Sequence, residues 1–354
     1  MPADILHILG SPDLDGSSIA HVVLDIARHI DANRYRTHAC FLGGDGPAAE
    51  ELRRAGVEVL NFQWMRGARD PAGALRFWRH LPRRGWRIVH VHYGARSVQS
   101  LARLATGARI VYHVHAYYDP ASPDSRELRP IPTWNADAVI AVSQAAARLV
   151  EGRHARVVYS GVEVPAVAAR ATSEKKILGV ACRLAPEKGI VYLLRALPAI
   201  LAAHPGTSLE IAGVGTEQAA LQEEARRLGV QDAVRFLGWR NDLDFLRGRW
   251  SAYVSPSVNE GLPLSVLEAM AAGLPVVATN AGGTVEAVED NVTGLICPAA
   301  DPEILAARVI ELLASEELRD KMGAAGRERV RAHFSVQQMA DEVAAVYDEL
   351  LRVR

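Results

Sequence analysis

Two glutamates, Glu260 and Glu268, carry the most chemical information in this chain. A short apolar strand, Ala252 to Val254, runs into a loop where Gly261 and Pro263 stop any helix from starting earlier. Proline is tolerated in the first helical turn, so a helix opens at Pro263 or Leu264. Glu260 then stands in the loop just outside the helix N-terminus, and Glu268 about one turn inside it. The backbone N–H groups between them have no helical partner and carry partial positive charge, which seats phosphate. Two carboxylates beside an anion seat suit a ligand that bears hydroxyls and phosphate together, and a nucleotide sugar fits that description. Taken alone, a spaced glutamate pair is weak evidence and reads first as a solvated helix face. The surrounding sequence decides between the two.

The elements that must hold these residues follow from the hydrophobic pattern. Short apolar runs alternate with longer helical stretches. In the first half the strand candidates are Ile5–Leu9, Thr37–Leu42, Val57–Leu60, Ile88–Val91, Ile110–Val114, Ala138–Val142 and Val157–Tyr159. In the second half they are Ile177–Ala181, Leu209–Ala212, Val234–Phe236, Ala252–Val254, Val276–Ala278 and Gly294–Ile296. Alternating strands and helices predict parallel sheets covered on both faces. Two such series predict an α/β chain of two doubly wound, Rossmann-like domains. The boundary falls in the alanine-rich segment around Pro165 to Ser173, giving domains at 1–168 and 169–336. Residues 337–354 form a further helix.

Composition narrows the function. The chain has 354 residues, 49% of them hydrophobic, enough for two domains with a substantial core. Its formal net charge of −1 excludes a general nucleic-acid binder. Residues 1–170 hold 21 basic and 16 acidic groups, and the remainder 19 and 25, so the first half is the one that favours an anionic partner. Cys40, Cys182 and Cys297 have neither disulfide nor zinc spacing, and free buried thiols point to a reducing, cytoplasmic home. The N-terminus lacks the basic and long apolar regions of a signal peptide. No apolar run is long enough to span a membrane.

Other candidates lie just after strands, where doubly wound sheets bind ligands. Arg183 and Lys188, in Cys182-Arg183-Leu184-Ala185-Pro186-Glu187-Lys188-Gly189, have the reach and charge to hold a diphosphate. Arg183 is equally placed for a surface ion pair with Glu187. Gly213 and Gly215 either bring backbone close to a ligand or form a plain tight turn. His113 and His115 share one face at a strand end, so either can face a ligand. Gly16-Ser17 precedes an amphipathic helix. No Asp-x-Asp pair occurs, so a metal is not expected. Residues 53–87 hold nine arginines against Glu58 and Asp70, interleaved with Phe62, Trp64, Phe77, Trp78 and Trp86. This region either docks peripherally on anionic lipid or an anionic acceptor, or is a solvated helix face with its aromatics packed inward.

In order, the spaced Glu260 and Glu268, the Gly261-Leu262-Pro263-Leu264 turn, Gly273-Leu274-Pro275-Val276-Val277, Gly282-Gly283 and Asn291-Val292-Thr293-Gly294 resemble the signature of the family 4 retaining glycosyltransferases. That resemblance implies the GT-B architecture, in which two Rossmann-like domains face each other across a cleft and the C-terminal helix returns to the first domain. It implies transfer of a sugar from a nucleotide-sugar donor without metal or cofactor, a UDP- or GDP-sugar being the expected co-substrate. It gives Arg183 and Lys188 the donor diphosphate and Glu268 the ribose hydroxyls. Glu260 and His115 fall beside the reacting sugar, and Gly16, Gly213 and the Gly261–Leu264 turn line the donor. The acceptor, built against first-domain loops such as residues 116–134, is a glycan, a lipid-linked sugar or a small molecule, as in cell-envelope or polysaccharide synthesis. The chain departs from the family at Gly16-Ser17 (usually Gly-Gly), at Cys182 (usually glycine) and at Ser160 (usually asparagine). These departures keep two alternatives in view: a sugar-nucleotide epimerase of the same architecture, and a non-catalytic nucleotide-sugar binding protein.

Overall fold

The structure, a computed structural model, describes residues 1–10, 12, 18–63, 70–81, 85–92, 96–115, 131–133, 135–151, 154–166 and 176–352. Gly16 and Ser17, most of the 116–134 loop, Trp64, Arg66, Arg69, Arg83, Arg84 and the expected boundary at 168–169 lie outside them.

Two compact units emerge from the packing. The first holds β1 (Ala3–Leu9), β2 (Tyr35–Phe41), β3 (Glu58–Asn61), β4 (Ile88–Val91), β5 (Arg109–Val114), β6 (Ile131–Pro132), β7 (Ala138–Ala141), β8 (Val150–Glu151) and β9 (Arg156–Val157). Seven of these form one parallel sheet in the order β3-β2-β1-β4-β5-β7-β9, while β6 and β8 pair separately. The second unit holds β10 (Ile177–Ala181), β11 (Ser208–Ala212), β12 (Val234–Gly238), β13 (Ala252–Ser255), β14 (Val276–Thr279) and β15 (Leu295–Cys297), in the order β12-β11-β10-β13-β14-β15. In both sheets the strand order reverses beside the unit's first strand, so each has a switch point: β1/β4 in one and β10/β13 in the other.

The central strands β1, β4, β13 and β14 are buried on both faces along most of their length, which is why they read as largely apolar runs. The helix Ile190–Ala203 and the helix Pro302–Ala314 put Leu193, Leu197, Leu305 and Leu312 into the core of the second sheet. Asp301 caps the latter helix through the N–H groups of Glu303 and Ile304, and Ser315 caps the helix Glu316–His333. Gly179 in β10 lies against the fully buried indole of Trp250, whose Nε1 donates to the buried Glu210 at 2.9 Å.

The division between the units falls at Gly161 and Val162, and again at Ser335 and Val336. The last helix, Val336–Arg352, is part of the first unit. Its Asp348 pairs with Arg34 and accepts from the Tyr35 hydroxyl, and its Glu349 accepts from Arg156 at 2.7 Å. Its Tyr347, fully buried, meets the Nδ1 of His90 at 2.6 Å. Among the described residues no helix is long and apolar enough to cross a membrane.

Candidate functional site

The loops that leave β10 and β13 lie on either side of the second unit's switch point. The first runs from Cys182 to Gly189 and the second from Pro256 to Pro263. They are joined directly, since the N–H of Val258 donates to the carbonyl of Glu187 at 2.8 Å. Gly189 adopts φ +61 and packs against the carbonyl of Pro256, where any side chain would overlap backbone. The Thr279 hydroxyl, at the end of β14, donates to the carbonyl of Ser257 and anchors the second loop from below.

This anchoring brings Lys188 and Glu260 together. Lys188 Nζ donates to Glu260 Oε1 at 2.7 Å, and the Ser257 hydroxyl donates to the same oxygen at 2.7 Å. The two side chains are 22% and 10% exposed, so the pair is largely withdrawn from solvent. Burial works to lower the Lys188 pKa, but the charge and hydrogen bond of Glu260 outweigh it and hold the ammonium above the usual lysine range. Lys188 is therefore a fixed positive charge. The carbonyl of Glu260 also accepts from the Gly283 N–H at 3.2 Å, which ties the glutamate to the turn after β14.

The helix opens at Leu264 with Pro263 as its N-cap and ends at Ala271, so Glu260 stands outside it and Glu268 inside it. The Pro263 carbonyl accepts from Val266 and Leu267 at 3.0 and 3.1 Å. Glu268, 40% exposed, pairs with Arg247, whose guanidinium is 7% exposed and also donates to Asp244 at 2.9 Å. Arg247 escaped the sequence reading, because it lies in a polar stretch that reads as surface. Its burial shows only once the short helix Leu243–Arg247 is folded against the sheet.

Arg183 is half-exposed and pairs with Glu187. Such a surface pair contributes little to stability, and a stronger anion displaces it readily. Gly213 and Gly215 have a definite packing role. Side chains there would overlap the carbonyls of Cys182 and Leu184, and the N–H of Leu184 donates to the Val214 carbonyl at 2.8 Å. The two glycines thus lock the loop after β11 onto the loop after β10, which carries Arg183 and Lys188.

His115 follows β5 and is partly exposed, whereas His113, two residues earlier, is 1% exposed. His115 Nε2 is 2.9 Å from His92 Nδ1, and its ring stacks on His113 at 4.1 Å between centroids. Burial pushes the His115 pKa down to about 3, so it is a neutral imidazole at physiological pH.

In the 53–87 region, Arg53 pairs with Asp45, Arg54 with Glu50 and Arg76 with Asp70. Phe77 and Trp86 are buried in the core, and Trp78 is 39% exposed. For the described residues this is mainly the packed-inward arrangement. Cys40, Cys182 and Cys297 are free thiols.

Comparison with known proteins follows the same division of the chain. The model for glycosyl transferases group 1 matches residues 167–329, and that for glycosyltransferase family 4 matches residues 19–164. A GDP-mannose-dependent monoacylated alpha-(1-6)-phosphatidylinositol monomannoside mannosyltransferase of Corynebacterium glutamicum is 32% identical over 293 residues, covering 73% of this chain and 76% of that protein. Glycogen synthase of Mycobacterium tuberculosis is 40% identical over 167 residues, covering 47% of this chain and 40% of the synthase, so the match spans less than half of that relative. The crystal structure of Anabaena HepE in complex with UDP-glucose superposes with a TM-score of 0.79 at 21% identity, covering 98% of this chain and 99% of that one. The fold is therefore GT-B, as the family resemblance implied. With both halves matched by family models and a relative aligned over most of its length, the chain belongs to the group 1 glycosyl transferases, family 4.

Proposed function

We propose that this protein is a retaining glycosyltransferase that moves a sugar from a nucleotide-sugar donor to a hydroxyl acceptor. The observation that carries the reading is the joined set at the second switch point. A buried ammonium on Lys188 lies against Glu260, and Glu268 stands one turn into a helix whose N-terminus lies between the two carboxylates. Transfer breaks the bond between the anomeric carbon and the diphosphate, so negative charge grows on the departing phosphate while positive charge develops on the sugar. Fixed donors at the phosphate lower that barrier. Lys188, Arg183 released from Glu187, and the N–H groups at Leu264 supply them.

In this reading Glu268, held by Arg247, binds the ribose hydroxyls, and Glu260 lies against the transferred sugar. Gly261, Leu262 and Pro263 shape the turn and Gly213 fixes the diphosphate loop, while Gly16, outside the described residues, is given to the donor by the family resemblance alone. A neutral His115 hydrogen-bonds a sugar hydroxyl. The expected route is front-face: the acceptor oxygen bonds to the same face of the anomeric carbon, and its proton passes to the departing phosphate oxygen. No covalent intermediate forms. The acceptor is a glycan, a lipid-linked sugar or a small molecule. One similar protein is named as GDP-mannose-dependent and another was crystallised with UDP-glucose, so the base remains between GDP and UDP.

Thermal unfolding against UDP, GDP, ADP and their common sugars tests the donor site, because a bound ligand raises the midpoint by mass action. A shift with one nucleotide family, lost in Glu268→Ala and Arg183→Ala, supports the reading and names the base. Product analysis with that donor then separates transfer from its alternatives. A glycoside supports it, while an epimerised nucleotide sugar, or an unaltered donor with every acceptor class, counts against it.

A further inference from the structure

The first unit gathers five histidines at its own switch point. His7 comes from β1, His90 and His92 from the end of β4, and His113 and His115 from the end of β5. Residues two apart on a strand share a face. The register pairs His7 with His90, and Val91 with Tyr112, so the three strand ends stack their imidazoles side by side. Ring centroids are 4.2 Å apart for His90 and His92, 5.2 Å for His92 and His113, and 5.1 Å for His92 and His115.

Hydrogen bonding accounts for only part of this cluster. His7 Nδ1 meets His92 Nε2 at 2.8 Å, and Tyr347 meets His90. His113 is 1% exposed, and neither of its ring nitrogens has a partner; His7 Nε2 and His90 Nε2 are likewise buried and unpaired. A neutral imidazole always carries one N–H and one lone pair. His113 therefore buries a donor and an acceptor with nothing to receive either, an arrangement native proteins rarely tolerate without a reason.

We propose that His92, His113 and His115 bind one divalent ion of the zinc class. One nitrogen from each of the three lies within 4.8 Å of the others, separations that small ring rotations close. The donor set is all imidazole, which suits zinc, copper or nickel and not magnesium or calcium. Three neutral histidines with one open position form an established zinc arrangement. His115, partly exposed, provides the open side, whereas the inner group His7, His90 and His92 is buried throughout. Outer support is already present. With His92 bound through Nδ1, its Nε2–H donates to His7 Nδ1, fixing the tautomer as a second partner does around bound metals. The ion takes His92 Nδ1 and His115 Nε2, replacing the 2.9 Å hydrogen bond between them, and leaves His115 Nδ1 for other partners. The proposal is argued from this cluster and shares His115 with the donor reading, but its test reads metal binding and not sugar transfer.

The test uses the full-length chain, stripped with chelator, dialysed and titrated with Zn²⁺ and separately with Co²⁺. One ion per chain by elemental analysis, with cobalt absorption bands of nitrogen coordination, is expected. His92→Gln and His113→Gln should each weaken binding by about a hundredfold or more. His154→Gln and His333→Gln, at exposed positions, should leave it unchanged. No retained ion, or equal retention in the first two variants, overturns the site. Nitrogen spectra of labelled histidines in the wild-type chain remain decisive even if those variants fail to fold. Three rings should shift together at one equivalent of Zn²⁺, and shifts confined to exposed histidines overturn the proposal.

Discussion

Lys188 Nζ and Glu260 Oε1 lie 2.7 Å apart on two different loops, and neither side chain is more than a quarter exposed. The pair is the main charged link between the loop after β10 and the loop after β13. Removing one partner leaves the other charge largely buried and uncompensated, which costs more than the intact pair contributes. Lys188→Met should lower stability by about 2–3 kcal/mol, somewhat less than for a fully buried pair. The double variant Lys188→Met with Glu260→Gln should recover a large part of that loss. Urea unfolding of the two single variants and the double variant measures the coupling. Additive losses would mean that the two side chains do not depend on each other.

Arg247 and Glu268 pose a different question, because Glu268 is the residue proposed to read the ribose. A guanidinium that is 7% exposed fixes the rotamer of a carboxylate that is 40% exposed. Arg247 is thus a positioning residue. Arg247→Met should weaken binding of the cognate nucleoside diphosphate about tenfold, roughly the worth of one charge-assisted hydrogen bond. Binding of the 2′,3′-dideoxy analogue should be nearly unchanged, since it offers Glu268 no hydroxyls. Calorimetric titration with both nucleotides checks this. Equal weakening of both would show that Arg247 acts on the fold or on the phosphates.

What the sequence revealed follows the range of its signals. Runs such as Ile88–Val91 and Ile177–Ala181 are buried on both faces, and their apolar pattern marks them within a residue or two. β6 and β8 have two residues each, too few to show any period, and both were missed. The Glu260 loop and the helix after it were legible because glycine and proline fix backbone locally. The partners of that site were not. Ser257 looks like any loop serine, and Arg247 meets Glu268 only through the packing of a short helix. The histidine cluster shows the same limit more sharply. His113 and His115 are visible together on one strand, but His7, His90 and His92 join them only because the strand order places β1 beside β4 and β4 beside β5.

Gly179 tests how tightly the second unit is packed. It pairs with Glu210 and Tyr253 in neighbouring strands, and an added methyl would overlap the indole of Trp250, itself fully buried and tied to Glu210. The indole cannot swing away without breaking that bond. Gly179→Ala should cost about 2–3 kcal/mol, near the upper range for overpacking. Gly248→Ala serves as the comparison. Its backbone is helical and its Cβ would meet carbonyl oxygens no nearer than 3.4 Å, so stability should change by less than about 0.5 kcal/mol. Thermal unfolding of the two variants distinguishes them. A neutral Gly179→Ala would mean that Trp250 has room to move.

Asp137 ties the start of β5 to the segment before β7, and its effect has a defined pH window. Its carboxylate accepts from the Ile110 N–H at 2.8 Å, from Arg109 at 3.3 Å and from Arg103. Burial acts to raise its pKa, but the backbone hydrogen bond and the two arginines outweigh this and hold it below the usual aspartate value. A carboxylate depressed in the folded state binds fewer protons there than in the unfolded chain, so stability rises with pH through this range. The contribution is complete above about pH 4, the unfolded value, and is lost as pH falls through the folded one. Asp137→Asn keeps an acceptor oxygen for Ile110 but loses the charge. It should be less stable than wild type by about 1–2 kcal/mol at pH 7, the worth of one charge-assisted hydrogen bond. The difference should shrink as pH falls through the lowered folded-state pKa and wild-type Asp137 takes up its own proton. Urea unfolding at pH 7, 5, 4 and 3 follows that convergence. A gap that stays constant across the series would assign the loss to packing and not to charge.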